Sequence, residues 1–116
     1  MQPEAKKYLF DVRQACARIE EFTSGKTFID YSQDAMLRAA VERQFEIIGE
    51  ALNQLAKLDS TIAERVTDYP RIIAFRNILV HAYAQIDARL VWGVVEANLK
   101  PLVVEIDALL DDSEDR

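Results

Sequence analysis

The chain has 116 residues, half of them hydrophobic, with 3 Gly, 3 Pro and a formal net charge of −6. That length makes a single domain, residues 1–116, the expectation, and the apolar share is enough to fill its core. So few turn-formers exclude a typical all-β fold, and the acidity argues against tight, nonspecific nucleic-acid binding, which needs many phosphate contacts.

In chain order, a first helix is predicted from about Glu4 to Phe22. Tyr8, Val12, Ala15, Ile19 and Phe22 fall at spacings of 4, 3, 4 and 3, which is one helical face. Thr23, Ser24 and Gly25 stop it. Cys16, the only cysteine, sits on that apolar face and reads as core. One thiol offers neither an intrachain disulfide nor a zinc cluster, so a reducing, cytoplasmic setting is expected. No signal peptide is expected, because no basic start leads into an apolar run. No membrane span is expected either, since no stretch reaches the ~20 apolar residues required.

The second helix is predicted from near Ser32, with Ser32 or Asp34 as N-cap, to about Leu58. Met36, Ala40, Ile47, Ile48, Ala51, Leu52 and Leu55 give it a broad apolar face. Glu42, Glu46, Glu50 and Asn53 line another face, and Arg43 can reach Glu46 or Glu50. At ~1.5 Å per residue this helix is near 40 Å long and forms the spine of the bundle. Asp59, Ser60 and Thr61 make a turn and cap before a short helix to about Val66. Pro70 suits the first turn of a fourth helix, buried through Ile72, Phe75, Leu79 and Ala82. Asp87 can cap the last helix, where Trp92 reads as a packing anchor and Pro101 is expected to kink or split the helix. From Glu105 onward six acids face one base, a net −5 that leaves −1 for the rest of the chain. This acidic end reads most simply as frayed and solvated, and alternatively as a surface for a basic partner or a mimic of RNA charge. Together the elements predict an all-α, antiparallel four- to five-helix bundle.

The fourth helix holds the only histidine, in Arg76-Asn77-Ile78-Leu79-Val80-His81-Ala82-Tyr83. Histidine titrates near neutrality and suits proton transfer. Asn77 and His81 are four apart and share a face, as do Arg76 and Tyr83, seven apart. Arg76 and His81 point roughly 140° apart on a regular helix. They converge poorly within one protomer unless the arginine bends or the helix ends near His81. A two-fold dimer would also bring copies of both groups into one cleft. Such a pair suits RNA cleavage. Imidazole can take the proton of a ribose 2′-hydroxyl or donate one to the leaving oxygen, and a guanidinium can hold the phosphate and stabilise its developing charge. The attack is intramolecular, so positioning contributes much of the rate, the product is a 2′,3′-cyclic phosphate, and DNA is resistant. From spacing alone, Arg76 also reads as a surface or ion-paired residue and His81 as a half-buried packing residue.

The segment from Arg76 to Tyr83 resembles the Arg-X4-His-X-Tyr motif of HepT-like toxins in the HEPN superfamily. Glu42-Arg43-Gln44-Phe45-Glu46-Ile47-Ile48-Gly49-Glu50-Ala51 is similar to that family's second-helix signature. Ile86-Asp87 through Val91-Trp92 resembles its run after the motif. The resemblance covers the chain from about Ala40 to Leu102. It implies a helical bundle, homodimerisation through the motif helices and metal-independent ribonuclease activity with no cofactor. It also implies a type VII-like toxin–antitoxin pairing with an MNT-type nucleotidyltransferase that adds AMP to the motif tyrosine. Carried over by position, Arg76 and His81 are catalytic, Asn77 is a supporting polar residue and Tyr83 is the AMP acceptor. An AMP group beside an anion-binding cleft would add bulk and negative charge and so oppose RNA entry. By its packing, Tyr83 also reads as an amphipathic residue at a helix end.

Glu42, Glu46 and Glu50 read as a solvated face or as partners for arginines, with a supporting role for Glu46 or Glu50 at the cleft as a further option. A metal set lacks the paired Glu-X-X-His pattern. Two functional readings follow. One is an endoribonuclease toxin neutralised by a nucleotidyltransferase. The other is a non-catalytic helical module that binds a nucleotidyltransferase or presents its substrate.

Overall fold

The computed structural model describes residues 1–82 and 86–114; Tyr83, Ala84, Gln85 and the last two residues lie outside it. Among the described residues there are six helices and no strand. Helix α1 spans Pro3–Thr23, α2 Phe28–Gln33, α3 Ala35–Leu58, α4 Ser60–Ala63, α5 Tyr69–His81 and α6 Ala88–Glu114.

Helix α1 starts with a proline in its first turn, where the missing N–H removes no intrahelical bond. It buries Ala5, Leu9, Val12, Ala15, Cys16 and Ile19. Tyr8 and Phe22 sit at the margins of this stripe, half-buried. Gly25 at φ 71 turns the chain, and the Lys26 N–H donates to the Thr23 carbonyl. Burial pushes the Cys16 thiol up to about 12, so the core reading of this residue holds.

A helix that the sequence reading omitted follows. Helix α2 is set by a reciprocal cap at Thr27: its hydroxyl accepts from the Asp30 N–H at 3.2 Å, and the Asp30 carboxylate accepts from the Thr27 N–H at 2.9 Å. The Thr27 backbone N–H first, and the Thr27 hydroxyl second, hold the Asp30 carboxyl below the usual carboxylate range. Ser32 therefore lies inside α2. Asp34 leaves the helical region (φ −114, ψ 98) and caps α3, accepting from the Leu37 N–H at 3.0 Å. Of the two expected caps, Asp34 is the one used. Met36 was expected on the apolar face but is 85% exposed. The buried register of α3 runs through Val41, Gln44, Phe45, Ile48, Leu52 and Leu55, and stepping back from Val41 reaches Leu37 and not Met36.

The spine role expected for α3 holds: it packs against α1 on one side and α5 on another, while α6 lies along α1. The resulting array measures 46 × 29 × 19 Å. Phe45 and Phe75 meet edge to face at 5.4 Å and join α3 to α5. Trp92 is an anchor as expected, with its ring 5.2 Å from that of buried Tyr31. Asp59 caps α4, which stops at Ala63 and not at Val66. Asp68 then takes a left-handed conformation (φ 56), tolerable for aspartate, and Pro70 falls in the first turn of α5 as predicted.

Asp87 starts α6 by accepting from the Arg89 N–H at 2.9 Å. Pro101 does not split this helix, which runs unbroken to Glu114. The proline is exposed, so water can satisfy the carbonyl it orphans. The acidic end is not frayed from Glu105 onward either. Glu105 accepts from the Thr67 N–H at 3.1 Å and from its hydroxyl at 2.7 Å. Asp107 pairs with Arg13 at 2.8 Å, and Asp112 with Arg65 at 2.7 Å. Each exposed pair contributes about 0–1 kcal/mol, yet together they tie α6 to α1 and to the segment before α5. Among the described residues no helix is long and apolar enough to cross a membrane.

Candidate active site

Helix α5 carries Arg76, Asn77 and His81. Its inward side is Ile72, Phe75 and Leu79, of which only Leu79 is fully buried. Its outward side is Ala74, Asn77, Ile78 and His81, all exposed. Arg76 and Val80 lie on the edge between these faces and line a cleft of about 210 Å³ shared with Tyr8 and Asp11 of α1 and Arg43, Glu46, Ile47, Glu50, Ala51 and Gln54 of α3.

The helices cross closely here. A Cβ placed on Gly49 would sit 2.2 Å from the Arg76 Cβ and 2.8 Å from its Cγ, a separation that no side chain allows. Only glycine at this point lets the stem of Arg76 lie directly on the α3 backbone. The Arg76 side chain is 26% exposed, and its Nη2 lies 2.7 Å from Oε2 of Glu50. Its Nη1 donates to Oδ1 of Asn77 at 2.8 Å. The other Glu50 oxygen accepts from Gln54 Nε2 at 3.0 Å.

The guanidinium is therefore held between Glu50 in the cleft and Asn77, which shares the outward face with His81. His81 is the last residue of α5, exposed, at the free end of the helix. Of the two conditions named for convergence within one protomer, the end of the helix at the histidine is present. Among the described residues Arg76 and His81 still make no hydrogen bond to each other. Of the two packing alternatives, the ion-paired reading describes Arg76 in part, while the half-buried reading of His81 does not hold. Tyr83, the expected modification site, lies outside the described residues.

The acidic row on α3 is divided among partners. Glu46 takes Arg43 at 3.4 Å, and Glu50 takes Arg76. Glu42 is half-buried, and desolvation raises its pKa above the usual carboxylate value. Among the described residues no three His, Cys, Asp or Glu side chains gather in a way that would hold a metal ion. A larger hollow of about 410 Å³ beside the α2–α3 junction, lined by Lys26, Asp30, Gln33, Asp34 and Met36, contains none of the motif residues. The sequence reading did not foresee the Gly49–Arg76 contact or the Gln54–Glu50–Arg76 chain. The available signal was a glycine in the middle of a long helix, which costs about 1 kcal/mol against alanine and marks close backbone approach.

The chain is a small all-α bundle whose fifth helix carries a cleft-lining arginine and ends in an exposed histidine. The family model described as "Ribonuclease HepT-like" matches residues 12–109, and the chain belongs to this family. It is 34% identical to a protein named "Probable ribonuclease HepT" from Thermococcus cleftensis, across 94% of this chain and 98% of that one. A protein of Methanocaldococcus jannaschii named "Putative RNase MJ1380" is 29% identical across 90% of this chain and 94% of its own length. Another from the same organism, "Gamma-glutamylcyclotransferase and putative RNase MJ0434", is 32% identical across 97% of this chain, which spans half of that longer relative. No solved structure matches the chain.

Proposed function

We propose that this chain is a metal-independent endoribonuclease in which Arg76 binds the scissile phosphate and His81 moves the protons. The observation that carries this reading is the guanidinium of Arg76, fixed between Glu50 and Asn77 on a helix that ends at His81. The 2′-oxygen bonds to phosphorus as the P–O5′ bond breaks. The 2′-hydroxyl gives its proton to a neutral imidazole, and an imidazolium gives one to the 5′-oxygen. Guanidinium N–H groups stabilise the charge growing on the non-bridging oxygens. The products are a 2′,3′-cyclic phosphate and a 5′-hydroxyl.

A homodimer completes the site in this reading. The outward face of α5 exposes Ile78 (54%) next to Asn77 and His81, and Val80 at its edge is 44% exposed. Apolar exposure of that kind on a motif helix fits two-fold pairing, which sets each His81 close to a second protomer. Purified protein is expected to cleave RNA in EDTA, to leave cyclic phosphate ends and to spare DNA of the same sequence. Inert protein on varied RNAs would favour the non-catalytic module that binds a nucleotidyltransferase.

The proposed regulator is an MNT-type nucleotidyltransferase antitoxin that transfers AMP to Tyr83. Two residues beyond His81, the added phosphate would place a negative charge where the RNA backbone has to lie. Coexpression with that partner is expected to add about 329 Da per AMP, located on Tyr83 by peptide mass spectrometry. The same mass on another residue would overturn the assignment.

A further inference from the structure

We propose that Glu50 is a positioning residue that selects which edge of the Arg76 guanidinium is offered to RNA. This rests on the reading of Arg76 as the phosphate-binding group. Both Glu50 oxygens are engaged, Oε1 by Gln54 at 3.0 Å and Oε2 by Arg76 at 2.7 Å, so the carboxylate is held at two points. The stem of Arg76 is fixed independently by its contact over Gly49. Guanidinium has five N–H donors; Glu50 and Asn77 take one each, which leaves three for a phosphate.

Charge decides the direction of approach. The cleft inward of Arg76 is lined by Asp11, Glu46 and Glu50 against Arg43 and Arg76, three carboxylates to two guanidiniums. Each of these carboxylates already holds a cation, Asp11 through Lys7 at 3.9 Å, Glu46 through Arg43 at 3.4 Å and Glu50 through Arg76 at 2.7 Å, so a phosphate entering there has to displace a carboxylate from its partner. The remaining approach is from the Asn77 side, the face shared with His81. Glu50 thus keeps the anion from the inner edge and orders the outer one. A free arginine would have to give up its rotamer freedom when phosphate binds, whereas the tethered one has lost it already.

The test is steady-state cleavage by full-length protein carrying Glu50→Gln, which keeps the acceptor and removes the charge, together with Gln54→Ala, which frees one carboxylate oxygen. Glu50→Gln is expected to lower kcat on the order of 10-fold, with KM unchanged or reduced because a repelling charge has gone. Gln54→Ala should move kcat in the same direction by less. The Nε–H signal of Arg76, assigned from Arg76→Lys, should stand apart from the other arginines in wild type and merge with them in Glu50→Gln. A rise in kcat/KM would make Glu50 a brake and overturn the proposal, and so would an unchanged Arg76 signal. If wild type cleaves no RNA, the ribonuclease reading fails separately. The Arg76 signal then decides alone: merging sustains the tether, and persistence removes it.

Discussion

Replacing Arg76 or His81 by alanine is expected to reduce RNA cleavage on the order of 10²–10⁴-fold while leaving helical circular dichroism unchanged. The second half of that expectation comes from burial. His81 is exposed at the end of α5, so its loss opens no cavity. Arg76→Ala strands Glu50, but the Glu50 side chain is 45% exposed and water can take over its oxygen. A pair at that exposure contributes about 0–1 kcal/mol, too little to unfold a domain. A mixing experiment adds the geometry. When the two alanine variants are coexpressed, about half of the dimers are mixed. If each phosphate lies between Arg76 of one protomer and the partner subunit's His81, each mixed dimer keeps one intact site of two. About a quarter of wild-type activity then returns. No recovery would assign both groups to the same protomer.

Gly49→Ala is expected to be the most damaging small substitution in the chain. The new methyl would meet the Cβ of Arg76, which cannot swing aside, and would crowd the Ile72 carbonyl at 3.3 Å. Alanine gains about 1 kcal/mol of helix propensity over glycine. Overpacking of this kind costs about 1–3 kcal/mol, and a backbone-proximal clash belongs at the upper end or beyond. The clash wins, and the melting temperature should fall by roughly 5–15 °C. Cleavage by the fraction that remains folded should fall further, because separating α3 from α5 moves the guanidinium off its position. A variant as stable as wild type would mean that the two helices do not cross this closely.

The fold was legible wherever period and caps agreed. The stops at Thr23 and Gly25, the caps at Asp34 and Asp87 and the start near Pro70 all rest on local chemistry that sequence displays. Helix α2 was missed although Thr27 and Asp30 form a capping pair three residues apart, because no apolar period can develop over six residues. Pro101 did not split α6, because its effect depends on which way it faces: toward solvent, the lost bond is replaced by water. The site was legible as a list of residues and not as an arrangement. Neither the pairing of Glu50 with Arg76 nor the glycine that allows it follows from helical spacing, since α3 and α5 meet only through tertiary packing. The acidic end carried the opposite lesson. Its charge was plain in the sequence, but its partners Arg13, Arg65 and Thr67 lie far away along the chain.

That last connection has a mechanical side. Glu105 grips the backbone at Thr67, one residue before the left-handed turn from which α5 departs. The second half of the final helix thus works as a stay on the root of the helix that bears Arg76 and His81. Replacing Glu105 would remove that stay from the root of a thirteen-residue helix whose last residue is His81.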